Sequence, residues 1–195
     1  STLVTPGPLA SLWECAVRPG HFCGVATVVL KLLNFAEPDT LYLGQKDYQQ
    51  ALIVRAVARD LDLPCRVLIA PTVRERDGLA LSSRNVYLDP DQRRRAAGLI
   101  RSLREGRAAV RSGSREARAI LARVQRTLER EARPDGIDYV ALVDPATLEP
   151  LSRVMARGIS GAMSPNTVVS ATDAHAGRSP SPSTAMPCGS SCGIT

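Results

Sequence analysis

Lysine is nearly missing from this 195-residue chain: of its 25 basic residues, only Lys31 and Lys46 are not Arg. Aromatic residues make up 4%, too few to build the stacking platforms that grip single-stranded nucleic acid. Histidine occurs twice, at His21 and His175, and the five cysteines at 15, 23, 65, 188 and 192 include no pair at zinc spacing beside a His. The expectation is thiols in a reducing, cytoplasmic setting and no bound zinc. The longest apolar runs are broken by Lys31 or Arg66, so none spans a bilayer. The first residues hold no basic region followed by an apolar one, so no signal peptide is visible. They also hold no Met, which points to processing or a missing beginning.

What is present is enough apolar content, 44%, to bury a core in one domain or one and a half. The formal charge is +6, and fourteen Arg lie between Arg84 and Arg133 against six acids there: Asp89, Asp91, Glu105, Glu116, Glu129 and Glu131. Such a stretch attracts polyanions, but a solvated helix surface is the commoner origin, and it is the reading taken here.

In chain order, Thr2-Leu3-Val4-Thr5 reads as a strand end stopped by Pro6-Gly7-Pro8, and 9–17 as a short helix. Arg18-Pro19-Gly20-His21-Phe22 leads into a helix to about Ala36, with Val25, Val28, Val29, Leu32 and Leu33 on one face. A strand at 39–43 ends in Gly44-Gln45-Lys46-Asp47, which opens a helix through Leu61; 65–70 is the next strand. Asp89, Pro90 and Gln92 carry the letters of a capping box, predicting a helix from there to about Val110. Ser114 is the expected cap of another helix to about Ala132. Strands are expected at 137–143 and 151–155. Of the 38 residues in 158–195, 26 are Gly, Ser, Pro, Ala or Thr, a composition that predicts a disordered tail.

Alternating strands and helices imply a parallel, doubly wound sheet with right-handed crossovers. Ligands of such sheets gather at the C-terminal strand ends, where Gly44–Gln50 and the 73–84 stretch fall. A strand followed by Gly and Lys at a helix start suits phosphate, although the spacing is not that of a Walker loop. In Asp77-Gly78-Leu79-Ala80-Leu81-Ser82-Ser83-Arg84-Asn85, two hydroxyls sit beside a guanidinium fork, again a phosphate-binding set. Gly78 would let that loop swing as a lid. His21 is read either as a helix-start residue satisfied by backbone or as a cation where anions gather. Read locally, the 77–85 stretch is also compatible with a polar interdomain loop holding a helix-capping Ser.

The blocks RPGHF at 18–22, GQKDYQQ at 44–50 and DGLALSSRN at 77–85, in that order and spacing, resemble the pantothenate synthetase (pantoate–β-alanine ligase) family. The joining segments VVLKLLNFAEPD and VRERDGLALSSRNVYL resemble it too. The resemblance covers residues 2 to 157, and Gln45 stands where the family usually has Glu. It implies a partial doubly wound, Rossmann-like nucleotidyltransferase sheet in an incomplete nucleotide-binding domain at 1–85. A small helical, α+β domain at 86–157 would follow as lid and homodimer part, with 158–195 as tail.

The implied reaction joins pantoate and β-alanine through a pantoyl adenylate, with ATP as substrate and Mg²⁺ as its ion. In it Lys46, Ser82, Ser83 and Arg84 are catalytic, and they bind ATP together with Gly44, Gln45, Asp47, Val73 and Leu81. Gln50 binds pantoate, while Arg18 and His21 line the pocket; no nucleic acid and no membrane take part. Two pieces of the family are not among these residues: an N-terminal, histidine-containing block that binds ATP, and a closing strand. Without the family's first strand, Leu41–Leu43 or Val67–Ile69 would lack a neighbour, predicting edge association, low stability and feeble activity of the chain alone. An inactive fragment keeping part of an ATP site, a related nucleotidyltransferase and an arginine-helix nucleic-acid binder stay open as alternatives.

Overall fold

The computed structural model describes residues 2–155 and 167–170, which fall into two compact units divided after Pro71. The stretch 72–85, which the sequence alone places with the nucleotide-binding domain, clusters with the second unit.

In the first unit, strand β1 (Thr40–Gly44) pairs in parallel with β2 (Arg66–Ala70), in the register Leu41↔Val67 and Leu43↔Ile69. Pairing in parallel requires a crossover, and the connecting helix is α3 (Tyr48–Asp60), which buries Ala51, Leu52, Ile53, Val54 and Ala58. Helix α2 (His21–Ala36) packs against α3. It begins after Gly20, whose φ of 77° is a conformation glycine takes without steric cost. It ends at Glu37 in the left-handed region, whose N–H donates to the Leu33 carbonyl, and Pro38 follows.

Three expectations for this unit fail in whole or in part. Residues 2–7 form no strand: the Val4 N–H donates to Thr27 Oγ1 at 2.9 Å instead of to a ladder, and Pro6 and Pro8 have no N–H to give. The 9–17 helix is split into a 3₁₀ turn, Pro8–Ser11, and a single-turn α1 (Glu14–Val17), separated at Trp13 with φ 45°. The buried residues of α2 are Phe22, Ala26 and Leu33, so of the predicted face Leu33 alone is fully buried, with Val25 and Val29 partly so. Apolar residues on more than one side of α2 leave periodicity unable to choose the inner one. Val28 and Leu32 are exposed, joined by Phe35 at 92%. Tyr42 and its register partner Leu68 are exposed on one face of the two-stranded sheet.

The second unit opens with a tight loop and a 3₁₀ turn, Ser83–Tyr87, followed by α4 (Pro90–Ala96), α5 (Gly98–Arg111) and α6 (Ala117–Glu131). The capping box is present in full: Asp89 Oδ1 accepts from the Asp91 and Gln92 amides at 2.8 Å, and Gln92 Oε1 accepts from the Asp89 N–H. The core lies where α5 and α6 meet strand β3 (Tyr139–Leu142), around Ala109, Val110, Ala117, Ile120 and Leu142. Many arginines of these helices are paired at the surface, as in Arg101 with Glu131 and Arg123 with Glu105 at 3.2 Å.

The single helix expected from Asp89 to Val110 is broken at Ala97. A Cβ on Gly98 would stand 2.6 Å from the Ala132 nitrogen and 2.8 Å from the Glu131 carbonyl carbon, so the chain approaches too closely there for a side chain. Gly98→Ala gains roughly 1 kcal/mol in helix propensity. The clash is with rigid backbone and dominates, so a net loss of about 1–3 kcal/mol is expected, read from urea unfolding. A gain in stability would show that the two segments can move apart.

Ser114 is not the cap of α6. The N-cap is Glu116, with no side-chain cap bond. The first helical amide, Ala117 N–H, is taken by the Ser152 carbonyl at 3.0 Å, and Glu116 bridges Arg153. A neighbouring strand-like segment thus supplies what a hydroxyl would. Among the described residues that segment, the predicted 151–155 strand, forms only the isolated bridge Glu116↔Arg153, with Val143↔Pro150 just before it. Within the expected tail, Thr167–Ser170 is strand β4, antiparallel to β3 with Leu142↔Thr167 and Tyr139↔Ser170. The composition of 158–195 hides it because the β-branched run Thr167-Val168-Val169 is short. The remaining residues of that stretch lie outside those described.

Candidate active site

In the first unit the chain leaves β1 at Gly44 in extended geometry, makes a 3₁₀ turn over Gln45–Asp47 and enters α3 at Tyr48. Lys46 therefore stands at a strand's C-terminal end beside the start of a helix. Its Nζ donates to Asp47 Oδ1 at 2.7 Å, and both side chains are exposed. The ion pair is local and in water, so it is worth little and leaves the ammonium able to change partner. The space beyond Gly44 is open, the nearest atom to an added Cβ being the Lys46 nitrogen at 4.0 Å. Gln45 is exposed and Gln50 half-buried.

Sequence reasoning passed over Gln49. It is 7% exposed, its amide donates to the Leu9 and Leu12 carbonyls at 2.8 Å each, and its oxygen accepts from the Glu14 N–H at 3.4 Å. The Glu14 carboxylate in turn accepts from Arg18 at 3.3 Å. One hydrogen-bonded path thus ties GQKDYQQ to the start of RPGHF. The only sequence signal for it was a polar residue at an inward position of an apolar helix face.

His21 is the first residue of α2, its N–H donating to the Arg18 carbonyl at 3.2 Å. Burial, and then the neighbouring Arg18 charge, push its pKa below the usual histidine value, with Glu14 opposing. Without an anion beside it, that direction favours the neutral imidazole over the resident cation.

In the second unit the stretch from Val73 to Leu81 folds back on itself. Leu81 N–H donates to the Val73 carbonyl at 2.9 Å, Arg74 bridges Ala80, and Glu75 N–H donates to the Leu79 carbonyl at 2.8 Å. Gly78 occupies the positive-φ corner at 94°, and a Cβ there would meet Ile100 at 2.9 Å. That glycine sits at a packed corner. Asp77 Oδ1 accepts the Leu79 N–H at 3.1 Å, and the Arg93 hydrogen bond, ahead of that amide, holds the Asp77 carboxyl below its usual pKa. Val73 and Leu81 are both mostly exposed.

Ser82 accepts the Arg84 N–H at 3.2 Å and caps the 3₁₀ turn, so the helix-capping role considered for it is real. Ser83 and Arg84 lead that turn, and Arg84 is exposed. Of the two compact units, the first holds Arg18, His21, Gly44, Gln45, Lys46, Asp47 and Gln50, and the second holds Val73, Leu81, Ser82, Ser83 and Arg84.

A parallel strand–helix–strand unit with Gly and Lys at the strand end is the architecture of nucleotidyltransferase-like domains. The family model of pantoate–β-alanine ligase matches residues 1–173, and the chain belongs to that family. The match runs past Arg157, where the resemblance read from sequence stopped, and takes in β4.

Among curated relatives, pantothenate synthetase of Moorella thermoacetica is 53% identical over 145 residues, which are 73% of this chain and 50% of that one. That of Thermus thermophilus is 51% identical over 155 residues, 78% and 55% of the two chains. A crystal structure of pantothenate synthetase from Thermus thermophilus superposes with a TM-score of 0.76 at 44% identity, covering 89% of this chain and 63% of that one. Pantoate–β-alanine ligase from Francisella tularensis, complexed with β,γ-ATP and β-alanine, gives 0.59 at 30% identity, covering 74% and 51%. The chain thus spans about half the length of the curated relatives it matches.

Proposed function

We propose that this chain carries the ATP- and pantoate-handling residues of an AMP-forming acid–amine ligase that makes pantothenate. The observation that carries the reading is Lys46 beside Gly44 at the C-terminal end of a parallel strand, in a chain matched by the family model over residues 1–173. The Francisella tularensis ligase complexed with β,γ-ATP and β-alanine supports ATP and β-alanine as ligands here.

A pantoate carboxylate oxygen forms a bond to the α-phosphorus of ATP, the α–β phosphoanhydride breaks, and pyrophosphate leaves. The β-alanine nitrogen then bonds to the acyl carbon, the acyl–oxygen bond breaks, and AMP and a proton are released. The first step brings two anions together, so it depends on cations and positioning more than on covalent chemistry. Lys46 supplies charge to the phosphates, and Ser82, Ser83 and Arg84 donate to their oxygens. Gly44, Gln45, Asp47, Val73 and Leu81 bind the rest of the nucleotide, with exposed Val73 and Leu81 offering apolar surface to the base. Gln50 offers an amide that donates to the pantoate carboxylate and accepts from its hydroxyls. Arg18 and His21 border the pantoate and β-alanine end.

Among the described residues no group of three or more His, Cys, Asp or Glu could hold a metal ion. Mg²⁺ therefore does not fit a protein-built cage here and enters as the ion carried by the ATP phosphates. No helix of the described residues is long and apolar enough to cross a membrane. Cys15, Cys23 and Cys65 are in no disulfide, which supports a cytoplasmic setting. The 1–85 part is the nucleotide-binding portion, and the 86–157 part supplies the lid and the homodimer surface.

The test is pantoate-dependent ATP–pyrophosphate exchange, run on the chain alone and on the chain completed with the remaining half of the Moorella thermoacetica relative. Exchange by the completed protein, with pantothenate formed on adding β-alanine, is the expected outcome. No exchange in either form overturns the proposal.

A further inference from the structure

The turn Glu75-Arg76-Asp77-Gly78 places two carboxylates within one tight corner, a repulsive arrangement unless a cation separates them. Arg93, in α4, does so with a different guanidinium nitrogen for each: one donates to Glu75 Oε2 at 2.6 Å and the other to Asp77 Oδ2. Glu75 uses its second oxygen to accept from the Asn85 amide at 2.7 Å, and the same amide donates to the Ala80 carbonyl at 3.1 Å. Asn85 directly follows Ser82-Ser83-Arg84 in sequence, and its N–H donates to the Ser82 carbonyl at 3.1 Å. The corner, the return strand and the 3₁₀ turn are thus joined through the Asn85 side chain, and Arg93 of α4 holds the two carboxylates of the corner. The carboxylate partners of Arg93, Glu75 and Asp77, are not among the groups assigned to the nucleotide.

Resting on the ATP-binding function proposed for Ser82-Ser83-Arg84, we propose that Arg93 is the positioning residue of that phosphate-binding stretch. It fixes, through Glu75 and Asn85, the backbone from which the two hydroxyls and the Arg84 fork project. Side chains here are partly exposed, Arg93 at 28%, Glu75 at 32% and Asp77 at 41%. Pairs of that kind add little to global stability. Their effect is local geometry: only a planar fork reaches two carboxylates in fixed directions, and an ammonium serves one at a time.

Arg93→Ala and Arg93→Lys in the full chain separate positioning from folding. Amide hydrogen exchange at Glu75, Leu81 and Asn85 is measured without nucleotide, MgATP affinity by calorimetry, and the melting midpoint as a check on the fold. Arg93→Ala is expected to speed exchange at these amides and weaken MgATP binding, each about tenfold. Arg93→Lys should fall between it and the wild type, and neither variant should shift the midpoint appreciably. Unchanged exchange in Arg93→Ala overturns the clamp, and a loosened loop with unchanged MgATP affinity overturns the positioning role. A wild-type chain that binds no MgATP either alone or completed with the relative's remaining half overturns the ATP-binding function and the positioning role with it. Exchange measured without nucleotide distinguishes that outcome from the absence of a clamp.

Discussion

Lys46→Ala, in the chain completed with a relative's remaining half, is expected to slow pantoate-dependent ATP–pyrophosphate exchange by two to three orders of magnitude, about 3–4 kcal/mol of transition-state stabilisation. The size follows from the step itself, in which a carboxylate approaches a polyphosphate and one positioned cation is removed. The fold should not change, because Lys46 is exposed and, among the described residues, its charged contact is the neighbouring Asp47. Exchange at the wild-type rate with an unaltered melting profile would take Lys46 out of the site.

Ile120→Ala should have the largest effect on stability. Ile120 is fully buried among Ala109, Val110, Ala117 and Leu142. Its neighbours Val110 and Leu142 are held by a helix and a strand and collapse poorly into a vacated space. The expected cost is about 2–5 kcal/mol, a large share of the total for an ordinary domain. Urea unfolding followed by circular dichroism measures it. A midpoint within error of the wild type would mean that the α5–α6–β3 core is not packed as described.

What was legible in the sequence was local chemistry. The capping box at Asp89 and Gln92, the strand ends near Gly44 and Ala70, and the helix stop at Pro38 depend on neighbours a few residues away. What was hidden depends on distant chain. Gly98 reads as a mild helix weakener until the backbone at Ala132 is brought against it, and Ser114 reads as a cap until Ser152 supplies its carbonyl. The inner face of α2 was only partly legible because more than one of its sides is apolar, and only the packed side is informative. Strand β4 was missed because average composition outweighs a four-residue run. At the candidate site, the GQKD and SSR groups could be named from their chemistry. The supporting Gln49 bracket and the Arg93 fork could not, since nothing in the letters says which carbonyls or carboxylates they will meet.

The close approach of α5 and α6 also bears on the order in which this chain assembles. The two helices are consecutive, joined by a short connection, and Gly106 lets Val124 sit within 2.6 Å of where a Cβ would be. Contacts between near neighbours in sequence close small loops and form early, whereas distant pairings lose more chain entropy before any contact compensates. The α5–α6 hairpin is therefore the natural nucleus of the second unit. Strand β3, by contrast, has its ladder partner in residues 167–170, farther along the chain. On a ribosome, that hairpin would be translated and able to dock before β4 exists, leaving the β3 edge open until synthesis passes Ser170.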